Sequence, residues 1–229
     1  MSETVPPVEA SDDASDDLVW LTHVSVRLAL RRLRAGEGRP LLLLHGLGEH
    51  TPAEAPAATA AWQGPVYGLD LTGHGASSVP VGGGYTAEAI MADIDAAIAH
   101  LGSVTILGRG LGAYLALLIA GARPTQVHGI VLTDGPGLVG GGIRPGSPHI
   151  PAVAATDASP DAFVLSELSR DVRPPDYAIE YVRLIMEHAA PVAPIAVATV
   201  VRPEWLTAVV EQPGVVELPV DEALASFAS

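Results

Sequence analysis

The sequence predicts an α/β protein with a mostly parallel central sheet, helices on both faces and an antiparallel strand pair at its N-terminal edge. Strand and helix patterns alternate along the chain from residue 18 onward. Central strand patterns such as 41–44 are continuous apolar runs, typical of parallel strands buried on both faces. By contrast, apolar and polar side chains alternate over 18–34, which predicts the half-exposed antiparallel pair.

The first half of the domain is predicted to add three buried strands and three helices. Residues 41–44, 66–69 and 103–107 are short apolar runs that end at glycine-containing turns. A helix is predicted over 53–62. A second helix is predicted from Thr86 to Leu101, because Thr86 can cap its first turn and Glu88 lies just inside. A third helix is predicted over about 110–121, directly after the strand at 103–107.

The second half continues the same alternation. A strand is predicted at 127–132, followed by a glycine- and proline-rich loop at 138–160 without periodicity. Further elements are predicted as helices near 160–170 and 176–189, a strand at 194–200, a helix at 203–210, a strand at 214–218 and a helix at 220–228. We expect a reduced lid over about 138–190.

Composition limits the classes of function. The chain has 229 residues, 48% hydrophobic and 17% charged, which predicts one domain over 18–229. The acidic segment 1–17 is predicted to be a disordered tail. A net charge of −14 argues against nucleic acid and a membrane surface as partners. The sequence contains no cysteine and shows no secretion signal or membrane span, which favours a cytoplasmic protein.

A strand, a glycine turn and an apolar helix follow one another over 104–114. This is the frame in which Gly-x-Ser-x-Gly enzymes present a nucleophile, but the central residue here is Gly110. A glycine has no atom that can attack a carbonyl. Two further turns follow strands upstream, His45-Gly46-Leu47-Gly48 and Asp70-Leu71-Thr72-Gly73-His74-Gly75-Ala76-Ser77.

With these three motifs in this order, the chain resembles the α/β-hydrolase superfamily from about 18 to 227. The resemblance implies an oxyanion hole formed by the backbone N–H groups of Leu47 and Leu111. These donors do not depend on a serine, so we expect them to form an anion or carbonyl pocket that Gly110 widens. The ligand-binding residues predicted here are Leu47, Gly110, Leu111, His45 and Arg109.

The same resemblance implies a catalytic triad of nucleophile, acid and histidine, in this order along the chain. The expected positions of the acid and the histidine hold neither residue. The usual acid position after strand 194–200 holds no aspartate; Glu204 is the nearest carboxylate, interpreted as a helix-dipole residue. Asp134, after the preceding strand, is the weak alternative acid, or else it caps a turn. The last histidine is His188, so no base follows the final strand. We therefore predict no catalytic residue acting by the family mechanism.

The glycine turn is also locally similar to the N-myc downstream-regulated family. Members of that family carry Gly-x-Gly-x-Gly followed by Ala-Tyr, the pattern found here at 108–114, and are regarded as non-enzymatic. The similarity spans seven residues only. It implies that a glycine at this turn is a tolerated state of the fold.

The other polar residues near these turns have two interpretations each. His45, His50, Asp70 and His74 include the residue types that hold zinc or iron, but the scaffold interpretation is that they fix loops by hydrogen bonding. We predict no metal and no cofactor. Arg109 can bind an anionic ligand, whereas the favoured interpretation is a surface arginine paired with an acid.

Three functions are therefore carried forward. The first is a pseudoenzyme of the α/β-hydrolase fold that binds a small-molecule ligand or a protein partner. The alternative is a hydrolase or lyase acting on an ester-like small molecule without a triad, through Asp134, His45, His74 or Arg109 and the retained oxyanion donors. The third is a structural role as a homo-oligomer or as a subunit of a complex.

Overall fold

One eight-stranded sheet organises the chain. In the computed structural model, which describes residues 17–141, 158–189 and 191–228, the strand order is β1-β2-β4-β3-β5-β6-β7-β8. The strands are β1 (Leu18–His23), β2 (Val26–Arg34), β3 (Leu41–Leu44), β4 (Val66–Leu69), β5 (Val104–Arg109), β6 (Val127–Thr133), β7 (Ile195–Ala198) and β8 (Val215–Glu217).

The directions of the strands confirm the predicted fold class. Strand β1 pairs antiparallel with β2, and β2 pairs antiparallel with β4. All other neighbours, from β4 through β3, β5, β6 and β7 to β8, are parallel. The four leucines of β3 are buried, as the continuous apolar run predicts.

Helices cover the two faces of the sheet unequally. They are α1 (Ala87–Leu101), α2 (Leu111–Ala122), α3 (Ala162–Leu168), α4 (Pro175–His188), α5 (Glu204–Val210) and α6 (Val220–Phe227). Helices α1, α2, α4 and α5 build the larger core with one face. The opposite face is covered by α6 and by the segment around Trp62. Within the described ranges no helix is both long and apolar enough to cross a bilayer.

The helix predicted over 53–62 is wrong. The structure has only a short 3₁₀ turn, Ala57–Thr59, in this segment. Pro56 precedes the turn, and a proline inside an α-helix removes one hydrogen bond and collides with the carbonyl four residues earlier.

The other predicted helices and strands are present, with boundaries shifted by at most two residues. Thr86 caps α1 as expected, since its side chain accepts a hydrogen bond from the Ala89 amide. The predicted tail 1–17 and flap 138–160 fall largely on residues 1–16 and 142–157, which lie outside the described residues. Within the predicted lid segment, α4 packs against α2 and α5.

Helix α2 approaches β3 so closely that only glycine fits at position 112. A Cβ added there would lie 2.4 Å from the Leu44 carbonyl oxygen and 2.8 Å from that of His45. Helix propensity alone favours Gly112→Ala by about 1 kcal/mol. We expect the opposite sign, a loss of about 2 kcal/mol of unfolding free energy, because α2 must move away from the sheet. Urea unfolding measures it, and an unchanged or increased stability would contradict this packing.

Candidate functional site

Four loops meet at the carboxyl edge of the sheet, where the parallel strands end. They follow β3 (residues 45–51), β4 (70–78), β5 (at 110) and β6 (134–138). In open α/β sheets this edge is where ligands bind. Most of the polar residues singled out from the sequence lie on these loops.

The turn after β5 has the predicted strand–turn–helix form. Strand β5 ends at Arg109, α2 begins at Leu111, and Gly110 joins them with φ of 59° and ψ of −117°. A positive φ of this kind favours glycine. The turn directs the first amide of α2 toward the loop that follows β6.

The two amides expected to form an oxyanion hole donate to one carbonyl of the same chain. The Leu47 N–H lies 3.0 Å from the carbonyl oxygen of Pro136, and the Leu111 N–H lies 2.9 Å from it. Donors of an oxyanion hole stand at 2.7–3.1 Å from the oxygen that they stabilise. The Pro136 oxygen therefore lies where such a hole would hold the oxygen of a substrate.

The expectation that Gly110 widens a pocket is corrected by this loop. A Cβ at Gly110 would lie 2.1 Å from the Pro136 oxygen and 2.6 Å from the carbonyl carbon of Gly135. Gly137 is packed as closely from the other side, 2.6 Å from the Cβ of Leu47 when a Cβ is added to it. The missing side chain at Gly110 makes room for the loop after β6, not for a ligand.

Both ring nitrogens of His45 and of His74 form hydrogen bonds with backbone groups. Nε2 of His45 accepts the Leu71 N–H at 3.1 Å, and its Nδ1 donates to the Gly46 carbonyl at 2.8 Å. Nε2 of His74 accepts the Gly48 N–H at 3.0 Å, and its Nδ1 donates to the Thr72 carbonyl. Burial lowers the pKa of both imidazoles, that of His74 to about 4. Both rings are therefore neutral at pH 7.

Asp70 and His50 also bind backbone. The carboxylate of Asp70 accepts the Thr51 N–H at 2.7 Å and the Ala76 N–H at 2.8 Å, while the His50 Nδ1 contacts the Thr51 carbonyl. These hydrogen bonds join the loops after β3 and β4. Across the described ranges, no three histidine or carboxylate side chains are grouped as metal ligands would be.

The two candidate acids also have structural contacts. The Asp134 carboxylate accepts the Val200 N–H at 2.6 Å and the Val201 N–H at 3.0 Å, which joins the ends of β6 and β7. Glu204 is the exposed first residue of α5. The connection from β8 to α6 consists of Leu218 and Pro219, neither of which can accept a proton.

Arg109 is paired at the same edge. Its Nε lies 3.1 and 3.0 Å from the two carboxylate oxygens of Glu49, and its Nη1 donates to the Asp134 carbonyl at 2.7 Å. Glu49 in turn accepts the Gly46 N–H at 3.0 Å. The arginine therefore connects the loops after β3 and β6 at the rim of the site.

A cavity of about 660 Å³ opens beside this rim, on the face of the sheet that carries α6. Leu43, Leu107 and Val220 belong to its mostly apolar wall. Of the five predicted ligand-binding residues, His45 and Arg109 line the cavity. The other three, Leu47, Gly110 and Leu111, surround the Pro136 carbonyl instead. The predicted set is thus divided between two places.

Sequence reasoning missed two residues of this edge, Pro136 and Glu49. The only local signal for the first was the Asp134-Gly135-Pro136-Gly137 turn, whose composition indicates a turn but not its neighbours. Nothing in the sequence pairs Glu49 with Arg109. Both contacts join loops that are far apart along the chain.

The fold, the glycine turn and the paired amides define the class of protein. Residues 39–179 match the family described as the α/β hydrolase fold. The chain belongs to this family. No curated protein matches it in sequence.

Solved structures with similar folds include hydrolases. A hydrolase from Pseudomonas aeruginosa PA01 is 30% identical over 54% of this chain and 49% of its own, with a TM-score of 0.47. A probable hydrolytic enzyme from P. aeruginosa PAO1 is 24% identical, over 50% and 39%, with a TM-score of 0.44. The meta-cleavage product hydrolase of Pseudomonas fluorescens IP01 is 23% identical, over 54% and 46%, with a TM-score of 0.44. The matched part is thus half or less of each of these chains.

Restoring a serine at the turn is expected to cost stability and to produce no nucleophile. We expect Gly110→Ser and Gly110→Ala to lose equally, at least about 2 kcal/mol of unfolding free energy, because the collision with Pro136 comes from Cβ. Gly102→Ala is the matched control: Gly102 also has a positive φ, but a Cβ there meets no atom within 4 Å. It measures backbone strain alone. Reaction of Gly110→Ser with a fluorophosphonate probe would contradict the absence of a base.

Asp93 and His74 have opposite effects on how the stability of the fold changes with pH. The Asp93 carboxylate in α1 accepts two hydrogen bonds from Thr72, at 2.7 and 2.8 Å, and burial raises its pKa to about 6. The folded protein therefore binds this proton more tightly than the unfolded chain between about pH 6 and pH 4, and its contribution to stability increases as pH falls. The depressed pKa of His74 has the reverse effect as pH falls from 6.5 towards 4.

Removing Asp93 is therefore expected to steepen the loss of stability in acid. Between pH 7 and pH 4, Asp93→Asn should lose about 2 kcal/mol more unfolding free energy than the parent, because Asp93 no longer offsets the destabilisation that comes from protonating His74. Urea unfolding over a pH series measures the slope. Asp95→Asn, two residues away on the exposed Arg123 ion pair, is the control and should keep the parent slope. Equal slopes for both variants would contradict the prediction.

Proposed function

We propose that this α/β-hydrolase-fold protein does not hydrolyse substrates by the family's triad and instead binds a small apolar molecule at the carboxyl edge of its sheet. The observation that carries the proposal is the Pro136 carbonyl, which accepts both the Leu47 and the Leu111 amides. A carbonyl at this place competes with any substrate for the same two donors.

The remaining groups that such chemistry needs are engaged elsewhere. Position 110 has no nucleophilic atom, Asp134 binds the backbone after β7, and both buried imidazoles hold loops. Because triad residues act as a unit, the absence of all three removes the mechanism rather than weakening it. The resemblance of residues 108–114 to the non-enzymatic N-myc downstream-regulated family agrees with this proposal.

The 660 Å³ cavity supports the binding role. Its volume lies within the range of about 300–1,000 Å³ found for small-molecule sites, and its wall is apolar with a few polar groups at the rim. Pro56 and Ala58, in the segment that forms a short 3₁₀ turn before Trp62, belong to its lining. Arg109 lies at the edge of the cavity, where its charge is paired with the carboxylate of Glu49. A neutral, apolar ligand fits this lining best.

Two neighbouring alanines allow a matched test. Both alanines of the 3₁₀ turn are exposed, but Ala58 belongs to the lining of the cavity and Ala57 does not. We expect the neutral dye Nile red to bind the parent protein with increased fluorescence and Ala58→Trp to weaken binding at least about tenfold, because the indole fills the space. Ala57→Trp should stay within about twofold of the parent. Equal affinities for both variants would place the dye elsewhere and contradict the proposed site.

The loss of hydrolysis has its own measurement. The parent protein should show no saturable turnover of p-nitrophenyl esters or lactones above the rate in buffer. Saturable turnover that is lost in Ala58→Trp, but retained in Ala57→Trp, would contradict the proposal and favour a reaction without the triad in this cavity.

A further inference from the structure

Arg173 is a buried arginine whose guanidinium holds the loop after Pro136. The residue is 4% exposed, just before α4. Its Nη1 donates to the carbonyls of Gly137 and Leu138, and the guanidinium carbon lies 4.5 Å from the centre of the Tyr114 ring. Burial lowers its pKa to about 10, so it stays charged at neutral pH.

One edge of this guanidinium has no partner. Nε and Nη2 are buried and donate to no acceptor among the described residues, and no described carboxylate forms an ion pair with Arg173. Nε–H and Nη2–H lie side by side and point in one direction, which is the geometry that binds the two oxygens of a carboxylate. Leaving buried charged donors unpaired is costly.

A second cavity lies against this arginine. It has a volume of about 520 Å³, is lined in part by Val139, Val172 and Trp205, and does not share a lining residue with the 660 Å³ cavity. Arg202 also contributes to its wall but is bound to Glu217 and Thr199. Glu204 lies in the wall as an exposed carboxylate. Arg173 is therefore the cation of this cavity that forms no ion pair among the described residues, although the half-buried carboxylate of Asp171 interacts with its charge electrostatically.

Glycine lies where a side chain would cover the free edge. A Cβ added to Gly140 would be 2.8 Å from the Arg173 Nε, and the neighbouring Gly141 also lines the cavity. Neither nitrogen is in contact with bulk water, so a ligand must displace the backbone of this segment, where the Gly141 N–H donates to the Asp171 carbonyl at 2.8 Å.

We propose that the cavity beside Arg173 binds a small monocarboxylate with an apolar body, its two oxygens accepting Nε–H and Nη2–H. A carboxylate matches the two parallel donors and leaves no further oxygen unsatisfied. A phosphate or sulfate would bury additional oxygens against valine, proline and tryptophan side chains. The site is independent of the proposed function, which uses the other cavity.

The arginine Nε–H resonance gives a direct test. Hexanoate and benzoate are titrated into the ¹⁵N-labelled full chain at constant ionic strength, with hexanol, benzyl alcohol, sulfate and phosphate as comparisons. We expect the carboxylates, and not the alcohols or inorganic anions, to shift the Arg173 Nε–H signal and raise the unfolding temperature. Arg173→Lys keeps the charge but not the fork, and should weaken binding at least about tenfold.

A second pair of variants leaves Arg173 intact. Val139 is more than half exposed and lines the cavity. Val139→Asp places a competing carboxylate in the wall and should weaken hexanoate binding at least about tenfold, whereas the isosteric Val139→Asn should stay within about twofold. Arg123→Gln, on an exposed ion pair distant in sequence, should also bind as the parent does.

Three results would overturn the proposal. The first is no shift of the Nε–H signal and no thermal stabilisation at about 10 mM carboxylate. The second is an equal response to sulfate or phosphate, which would indicate binding of anions by charge alone. The third is equal affinity of Val139→Asp and Val139→Asn, which would place the carboxylate outside this cavity. Nile red binding at the other cavity is unaffected by any of these results.

Discussion

The carboxyl edge of the sheet is organised around a single backbone oxygen, the carbonyl of Pro136. The amides of Leu47 and Leu111, from the loops after β3 and β5, both donate to it. Glycine at 110 and 137 lets the loop after β6 enter far enough for this contact. Buried amides need acceptors, and this carbonyl satisfies two of them at once. The loops after three neighbouring strands are thereby held together.

The same contact links the site to the rest of the helical layer. The carbonyls of Gly137 and Leu138, which follow Pro136, both accept hydrogen bonds from Arg173. The Leu138 carbonyl also accepts the indole N–H of Trp205, which stacks edge-on against Tyr114 of α2. Helices α2 and α5 and the segment before α4 therefore all contact the loop that occupies the oxyanion position.

The imidazoles and carboxylates near this edge belong to the same structural arrangement. His45, His74 and Asp70 each bind backbone through two polar atoms, one to their own loop and one to the neighbouring loop. Groups whose polar atoms are already engaged by backbone cannot readily exchange protons with a ligand. Polar residues that would attract a catalytic or metal interpretation in the sequence thus stabilise loop conformations, and the open cavity lies beside them.

The sequence by itself determined the fold class, the alternation of strands and helices, and the turn at Gly110, because these depend on local periodicity and on glycine. It also led to the expectation that the residues after β7 and β8 supply no acid or histidine of a triad. Only the tertiary structure decided what lies between the Leu47 and Leu111 amides, why Arg109 meets Glu49, and where Arg173 has a free edge. Those contacts join loops distant in the chain, and no local pattern encodes them. The helix predicted over 53–62 failed for a local reason, Pro56, and residues of that segment line the cavity beside the sheet edge.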